Sequence, residues 1–167
     1  MTQSVPLDET RALIDEMTRR SLTVAVAESL TGGLLVAELI RIPGASRVVR
    51  GGVVAYATDL KSSVLGVDAD ILSDRGPVDP EVAMQMAEGA RHRLGTESHA
   101  ASWGVSTTGV AGPGSQDGHA AGTVFLGFAT QGGRLSRRLQ LDGDRATVRQ
   151  QTVAAAIRLM FEMLHET

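Results

Sequence analysis

The chain has 167 residues, 43% of them hydrophobic and 21% charged, a balance that suits one domain with an ordinary core and excludes a disordered chain. Sixteen Lys and Arg against 19 Asp and Glu leave a net charge of −3, so no overall basic field exists for nucleic acid, and the lack of cysteine excludes disulfides, thiolate nucleophiles and Cys-based zinc sites. The first residues lack the basic start and apolar stretch of a secretory signal, and no apolar run approaches the roughly 20 residues of a membrane span; a cytoplasmic protein without membrane contact is expected.

Leu7, Leu13, Ile14 and Met17 recur at helical spacing and predict an amphipathic helix over 8–20. The run Thr23-Val24-Ala25-Val26-Ala27 predicts a strand over about 22–28. Leu34, Leu35, Ala37 and Leu39 then predict a helix over about 31–41, which Pro43-Gly44 ends. Val48, Val49, Val53, Val54 and Tyr56 mark a second strand with a bulge at Gly51-Gly52. A short helical turn carries Lys61, Val64 and Leu65. After Gly76-Pro77 and Pro80, Val82, Met86, Ala90 and Leu94 repeat every four residues as a helix. A third strand is centred on 101–107 and leads into a Gly-rich loop, 109–118. Strands over 123–129 and 135–141 flank Gly132-Gly133 and predict an antiparallel hairpin. The last helix starts near Arg145, with Val148, Ala155, Ala156, Leu159, Met160 and Met163 on one face. The order predicts a single α/β domain over 1–167, with a mixed sheet and helices on both faces.

The first three strands alternate with helices and are therefore expected to be parallel. Ser29 falls at the carboxyl end of the first, Tyr56 at the end of the second and Thr107-Thr108 at the end of the third. Ligands of open α/β sheets bind outside that edge. Ser29 and Thr31 also stand where a helix begins, so either fits an N-cap; the same place beside uncapped N–H groups suits a nucleophile and its oxyanion. A serine nucleophile needs a base. Three of the four histidines are poorly placed for that, and His119 is kept only as a contact candidate. Lys61, the single lysine against 15 arginines, lies just past Tyr56. Burial can neutralise a lysine, never an arginine, so Lys61 is read either as a base or as a surface residue on a short helix. Tyr56, the sole tyrosine, is read as a proton relay, as a residue that orients Lys61, or as a half-buried strand residue. Thr108 and the glycines of 109–114 offer a hydroxyl and exposed N–H groups, without the sequence of a P-loop or a dinucleotide fingerprint. Arg145 can meet a phosphate or cap its own helix. No His, Asp and Glu cluster has metal-ligand spacing, so no metal and no cofactor are expected.

Four blocks together resemble the CinA carboxy-terminal domain family: 27–33 (AESLTGG), 52–61 (GVVAYATDLK), 108–113 (TGVAGP) and 122–124 (GTV), with a looser fifth at Gly143-Asp144-Arg145 and Arg149. The likeness spans about residues 8–164. It implies a three-layer α/β/α fold with a mixed, mostly parallel five-stranded sheet. It also implies a serine–lysine amidohydrolase that converts nicotinamide mononucleotide to nicotinate mononucleotide and ammonia. By the resemblance, Ser29 is the nucleophile, Lys61 its base and Tyr56 the support of Lys61. Thr31, Gly32, Gly33, Thr108, Gly109, Ala111 and Gly112 are expected to bind substrate and Arg145 its phosphate. A homodimer and the stand-alone form of the family are expected, the latter because many members carry a further amino-terminal domain for which this chain has no room. Three positions depart from the pattern: Leu30 stands where the family commonly has Cys, Asp79 where it has Ser, and 115–121 (SQDGHAA) where a Gly-rich segment ends in Lys-Pro-Val. The altered loop opens two other readings, a nucleotide- or partner-binding module without turnover and a hydrolase of another small amide.

Overall fold

A computed structural model describes residues 7–166, and its layering starts from the first strand, β1 (Val24–Glu28), buried along its whole length. Successive side chains of a strand go to opposite faces. Val24 and Val26 meet Leu13 and Met17 of α1 (Leu7–Arg19), Leu35 and Leu39 of α2 (Leu34–Ile40) and Ile157 and Met160 of α6 (Arg145–Glu166). Ala25 and Ala27 meet Val82, Met86 and Ala90 of α5 (Pro80–Arg93) on the other side. Two short helices, α3 (Thr58–Ser63) and α4 (Ala69–Arg75), lie on the α5 side.

The five strands lie in the order β2 (Val49–Val54), β1, β3 (Trp103–Gly109), β4 (Thr123–Thr130), β5 (Gly133–Gln140). β1 is parallel to β2 and to β3, while β4 is antiparallel to both β3 and β5. Four strands therefore run one way and β4 alone runs against them, and the pairings divide evenly between parallel and antiparallel. The three-layer α/β/α fold with a mixed sheet is the one expected from the sequence.

The faces of the sheet differ in grain. Toward α5 the residues are small: a Cβ on Gly104 would collide with the Ala87 carbonyl oxygen, and Ser106 Oγ donates to the Ala83 carbonyl at 2.6 Å. α5 thus lies close against β3 and β4. Toward α1, α2 and α6 the residues are large, with the Trp103 and Phe128 rings edge to face at 4.9 Å. Each such fully buried side chain contributes about 1.5–3 kcal/mol of hydrophobic stabilisation.

Several boundaries differ from those the sequence predicts. The largest difference is at α2, which begins at Leu34 rather than near Thr31: Gly32 and Gly33 have φ of 59° and 100°, so the chain makes a left-handed turn before it can coil. β1 begins at Val24, β2 covers only Val49–Val54, and β3 runs two residues later, to Gly109. The irregularity in β2 falls at Arg50, which the register with β1 skips, one residue before the expected bulge. The hairpin turns on Gln131-Gly132, with Gly133 already paired to Thr130. α4 and a 3-10 turn at Ala45–Arg47 were not legible as separate elements, being too short for a periodic apolar signal. Residues 1–6 and 167, part of the expected single domain, lie outside the described residues.

Candidate active site

Where β1 ends, the chain turns at Ser29, whose N–H donates to the Thr107 carbonyl of β3 at 3.0 Å. β2 ends two residues before Tyr56, and α3 follows at once, carrying Lys61 inward. Both arrive at the same sheet edge. Lys61 Nζ lies 3.1 Å from Ser29 Oγ, 2.8 Å from the Ala55 carbonyl oxygen and 3.4 Å from the Tyr56 carbonyl oxygen. The lysine is 1% exposed. Burial disfavours its charged form and lowers its pKa from 10.5 to about 8. The neighbours suit a neutral amine: its two hydrogens go to the two carbonyls, and its lone pair is left for the Ser29 hydroxyl. A nucleophile and a base within hydrogen-bond reach are thereby in place.

The pair opens on a cavity of about 330 Å³ between the ends of β1, β2 and β3, within the roughly 300–1,000 Å³ range of small-molecule sites. Thr108, Gly109, Ala111 and Gly112 line it, as do Tyr56 and Arg145. Thr108 donates its hydroxyl hydrogen to the Pro77 carbonyl at 2.6 Å, leaving lone pairs toward the cavity. Leu30 also lines the cavity, and among the described residues neither its backbone N–H nor that of Ala111 donates to a protein acceptor. The basic lining side chains are Lys61 and Arg145; no carboxylate is among them. Such a lining favours an anionic ligand.

Other residues lie differently from the sequence reading. The Tyr56 hydroxyl does not meet Lys61. It accepts from Arg145 Nη2 at 3.0 Å, and the support for Lys61 comes from the Tyr56 main-chain carbonyl instead. Arg145 also donates from Nη1 to the Gly112 carbonyl at 3.0 Å, so the guanidinium bridges two walls of the cavity before any ligand arrives. Thr31 is not an N-cap and does not line the cavity: its hydroxyl is buried against that of Thr107 at 2.8 Å. Gly32 and Gly33 form the turn and stand outside the lining, as does His119. Arg149 holds the turn from below, donating to the Leu30 and Thr31 carbonyls at 2.8 and 3.1 Å.

The positive end of α2 does not face Ser29 either. Glu28, which sequence reasoning passed over, is fully buried, and its carboxylate accepts from the N–H groups of Gly33, Leu35 and Val36 at 3.0, 3.0 and 2.9 Å. The helix start expected to serve the oxyanion is occupied by this carboxylate. The available signal was an acid at the end of an apolar strand, followed by a Gly-Gly turn with no side chain for a local cap.

The altered segment 115–121 folds as a tight hairpin. Gln116 and His119 exchange backbone hydrogen bonds at 2.9 Å across Asp117 and Gly118, whose positive φ values of 50° and 79° suit a type I′ turn. Ser115 and Gln116 form part of the cavity wall. Asp79, another of the three departures, is the N-cap of α5 and accepts from Glu81 and Val82 N–H.

The model of the CinA C-terminal domain matches residues 8–164. A CinA-like protein of Frankia casuarinae is 46% identical over 148 residues, 89% of this chain and 33% of its own length. A CinA-like protein of Gloeobacter violaceus is 42% identical over 147 residues, 86% of this chain and 33% of its own. The chain thus spans about a third of the length of these curated relatives. Among solved structures, the competence/damage inducible protein CihA of Agrobacterium tumefaciens superposes with a TM-score of 0.87 at 33% identity, covering 97% of each chain. A CinA superfamily protein of Klebsiella pneumoniae gives 0.90 at 28% identity, over 96% of this chain and 98% of that one.

Proposed function

This chain belongs to the CinA C-terminal domain family, and from that premise we propose that it is an amidohydrolase that deamidates nicotinamide mononucleotide to nicotinate mononucleotide and ammonia. The observation that carries the reading is the 3.1 Å contact between Ser29 Oγ and a buried Lys61 whose pKa is lowered to about 8.

In this reading Lys61 Nζ takes the Ser29 proton as Oγ attacks the carboxamide carbon. The oxyanion that forms meets the free N–H groups of Leu30 and Ala111. Lys61 returns the proton to the leaving nitrogen, the C–N bond breaks, ammonia departs and an acyl ester remains on Ser29. Lys61 then takes a proton from water, which attacks the ester carbon; collapse frees the carboxylate product and restores the serine. The carboxylate-free cavity and Arg145 support a phosphorylated substrate.

The protein is also proposed to act as a cytoplasmic homodimer. Among the described residues, the exposed large apolar side chains Leu34, Ile40, Val54, Tyr56, Leu60 and Val64 all fall within one stretch around the edge strand β2. Light scattering reads that state directly.

The primary test is ammonia release from nicotinamide mononucleotide by the wild type, Ser29→Ala and Lys61→Met, each checked for a cooperative melt. Turnover by the wild type alone supports the deamidase. A wild type that shows ligand-dependent thermal stabilisation but no ammonia replaces this reading with a binding module, to which the altered 115–121 hairpin points. Turnover of a different amide replaces the substrate and keeps the chemistry.

A further inference from the structure

Ser29 is preceded by a residue whose main chain and side chain hold different parts of the site. The Glu28 carbonyl accepts from the Ala55 N–H at 2.9 Å, and the Ala55 carbonyl in turn accepts from Lys61 Nζ at 2.8 Å. The nucleophile's neighbour is thus joined to the base through a single residue, Ala55. The Glu28 carboxylate reaches forward instead. Oε2 accepts from the Gly33 and Leu35 N–H groups and Oε1 from that of Val36, so the opening turn of α2 is fastened to the end of β1. Ser29 sits between these two anchorages.

An ordinary N-cap is adjacent to its helix and satisfies one or two N–H groups. Here the residue at that position is Gly33, with φ of 100° and no side chain, and the cap comes from a strand residue five positions earlier. Two backbone hydrogen bonds shape the turn locally, Gly32 N–H to the Ser29 carbonyl and Leu34 N–H to the Thr31 carbonyl, both at 3.1 Å. Glu28 at one end and Arg149 at its carbonyls tie it to the rest of the fold. A carboxylate wholly buried beside a nucleophile, with all its partners on the segment that carries that nucleophile, does more than end a helix.

We infer that Glu28 is a positioning residue for Ser29: its carboxylate, by clamping the first turn of α2 to β1, sets the distance from Ser29 Oγ to Lys61 Nζ. The inference rests on the nucleophile–base reading of those two residues. A misplacement of about 1 Å at a reacting atom costs up to about 10²-fold in rate, so the clamp bears on turnover as well as on stability.

Glu28→Gln tests this, because the amide keeps the volume and sets an N–H donor against one of the three backbone donors. Glu28→Asp, which keeps the charge on a shorter arm, is run in parallel, and a variant with a cooperative melt is the one read. Ser29 is labelled with a fluorophosphonate probe followed by intact mass, a rate that needs no knowledge of the substrate; kcat, KM and the pH midpoint are measured for ammonia release. The expected result is a labelling rate and a kcat each lower by at least about tenfold, KM within about twofold, and a labelling midpoint moved away from about 8. A folded variant that labels at the wild-type rate with an unmoved midpoint overturns the inference, since a plain helix cap changes the melt and not the rate per folded molecule. A wild type that labels but releases no ammonia overturns only the deamidase reading. A wild-type Ser29 that resists the probe overturns both.

Discussion

Two buried ionisable side chains flank Ser29, and the fold treats them in opposite ways. Glu28 is met by three N–H donors, each a backbone group that cannot move away. Lys61 is met by two carbonyls and a hydroxyl, and no carboxylate pairs with it among the described residues. A carboxylate ringed by backbone donors has its hydrogen-bonding capacity met within the fold, whereas an ammonium that burial penalises without a counter-ion gives its proton up readily. The first arrangement builds scaffold and the second builds a base. A lysine held by an acidic partner would have been as buried and chemically inert near pH 7.

The contrast breaks most sharply at the nucleophile. Ser29→Ala leaves Lys61 its two carbonyl acceptors and removes the nucleophile it activates, so kcat is expected to fall by at least about 10³-fold with the melt nearly unchanged. Retained turnover in ammonia-release assays would remove the covalent mechanism altogether.

Lys61 separates activity from stability. Lys61→Met is expected to lower kcat by at least about 10²-fold, the usual worth of a general base. Stability depends on pH through the same group, in a higher window. The folded-state pKa, about 8, lies below the ordinary 10.5, so between those values the unfolded chain holds more protons than the folded one. Wild-type stability relative to Lys61→Met should therefore climb as pH rises from about 8 to 10.5, by about 3 kcal/mol in all, and stay flat below pH 8. Urea melts of both proteins across that window read the difference. The activity of the wild type follows the same group: kcat/KM rises about tenfold per pH unit below 8 and levels off above it.

Arg145 tests the outer part of the site. Its two hydrogen bonds to Tyr56 and Gly112 already fix the guanidinium at the cavity mouth. Arg145→Ala is expected to raise KM for the mononucleotide by about tenfold to a hundredfold, the worth of a charge-assisted contact, and to leave kcat for the unphosphorylated nucleoside unchanged. Equal losses on both substrates would place Arg145 in the wall of the cavity and nowhere near a phosphate.

Much of this site was legible because topology does the assembling. Ser29, Tyr56 and Thr108 are far apart in sequence and meet because three strands end at one edge, which hydrophobic patterning and the parallel-crossover rule supply without side-chain detail. Hydrogen-bond direction was not legible. The sequence puts Tyr56 near Lys61, yet its carbonyl faces the lysine and its hydroxyl faces Arg145, a choice that residue type and spacing do not encode. The helix start failed for a related reason. Ser29 and Thr31 are good capping residues by type, but the two left-handed glycines postpone the helix by a turn and hand the capping to Glu28.

The smallest expected effect concerns a position where this chain departs from its family's pattern. Asp79 stands in place of the usual Ser and caps α5 by accepting from Glu81 and Val82 N–H at 2.7 and 3.3 Å. Both residue types cap helices well, and Asp adds a charge at the positive end of a helix of 14 residues. Asp79→Ser is therefore expected to change stability by less than about 0.5 kcal/mol, whereas Asp79→Ala costs about 1 kcal/mol. Asp79 does not line the cavity, so turnover per folded molecule should be unchanged in both. Unlike Glu28, this carboxylate caps a helix whose start carries no reacting group. If Asp79→Ala lowers kcat as Glu28→Gln is expected to, capping as such, and not the attachment of the nucleophile's own turn, is what the site depends on.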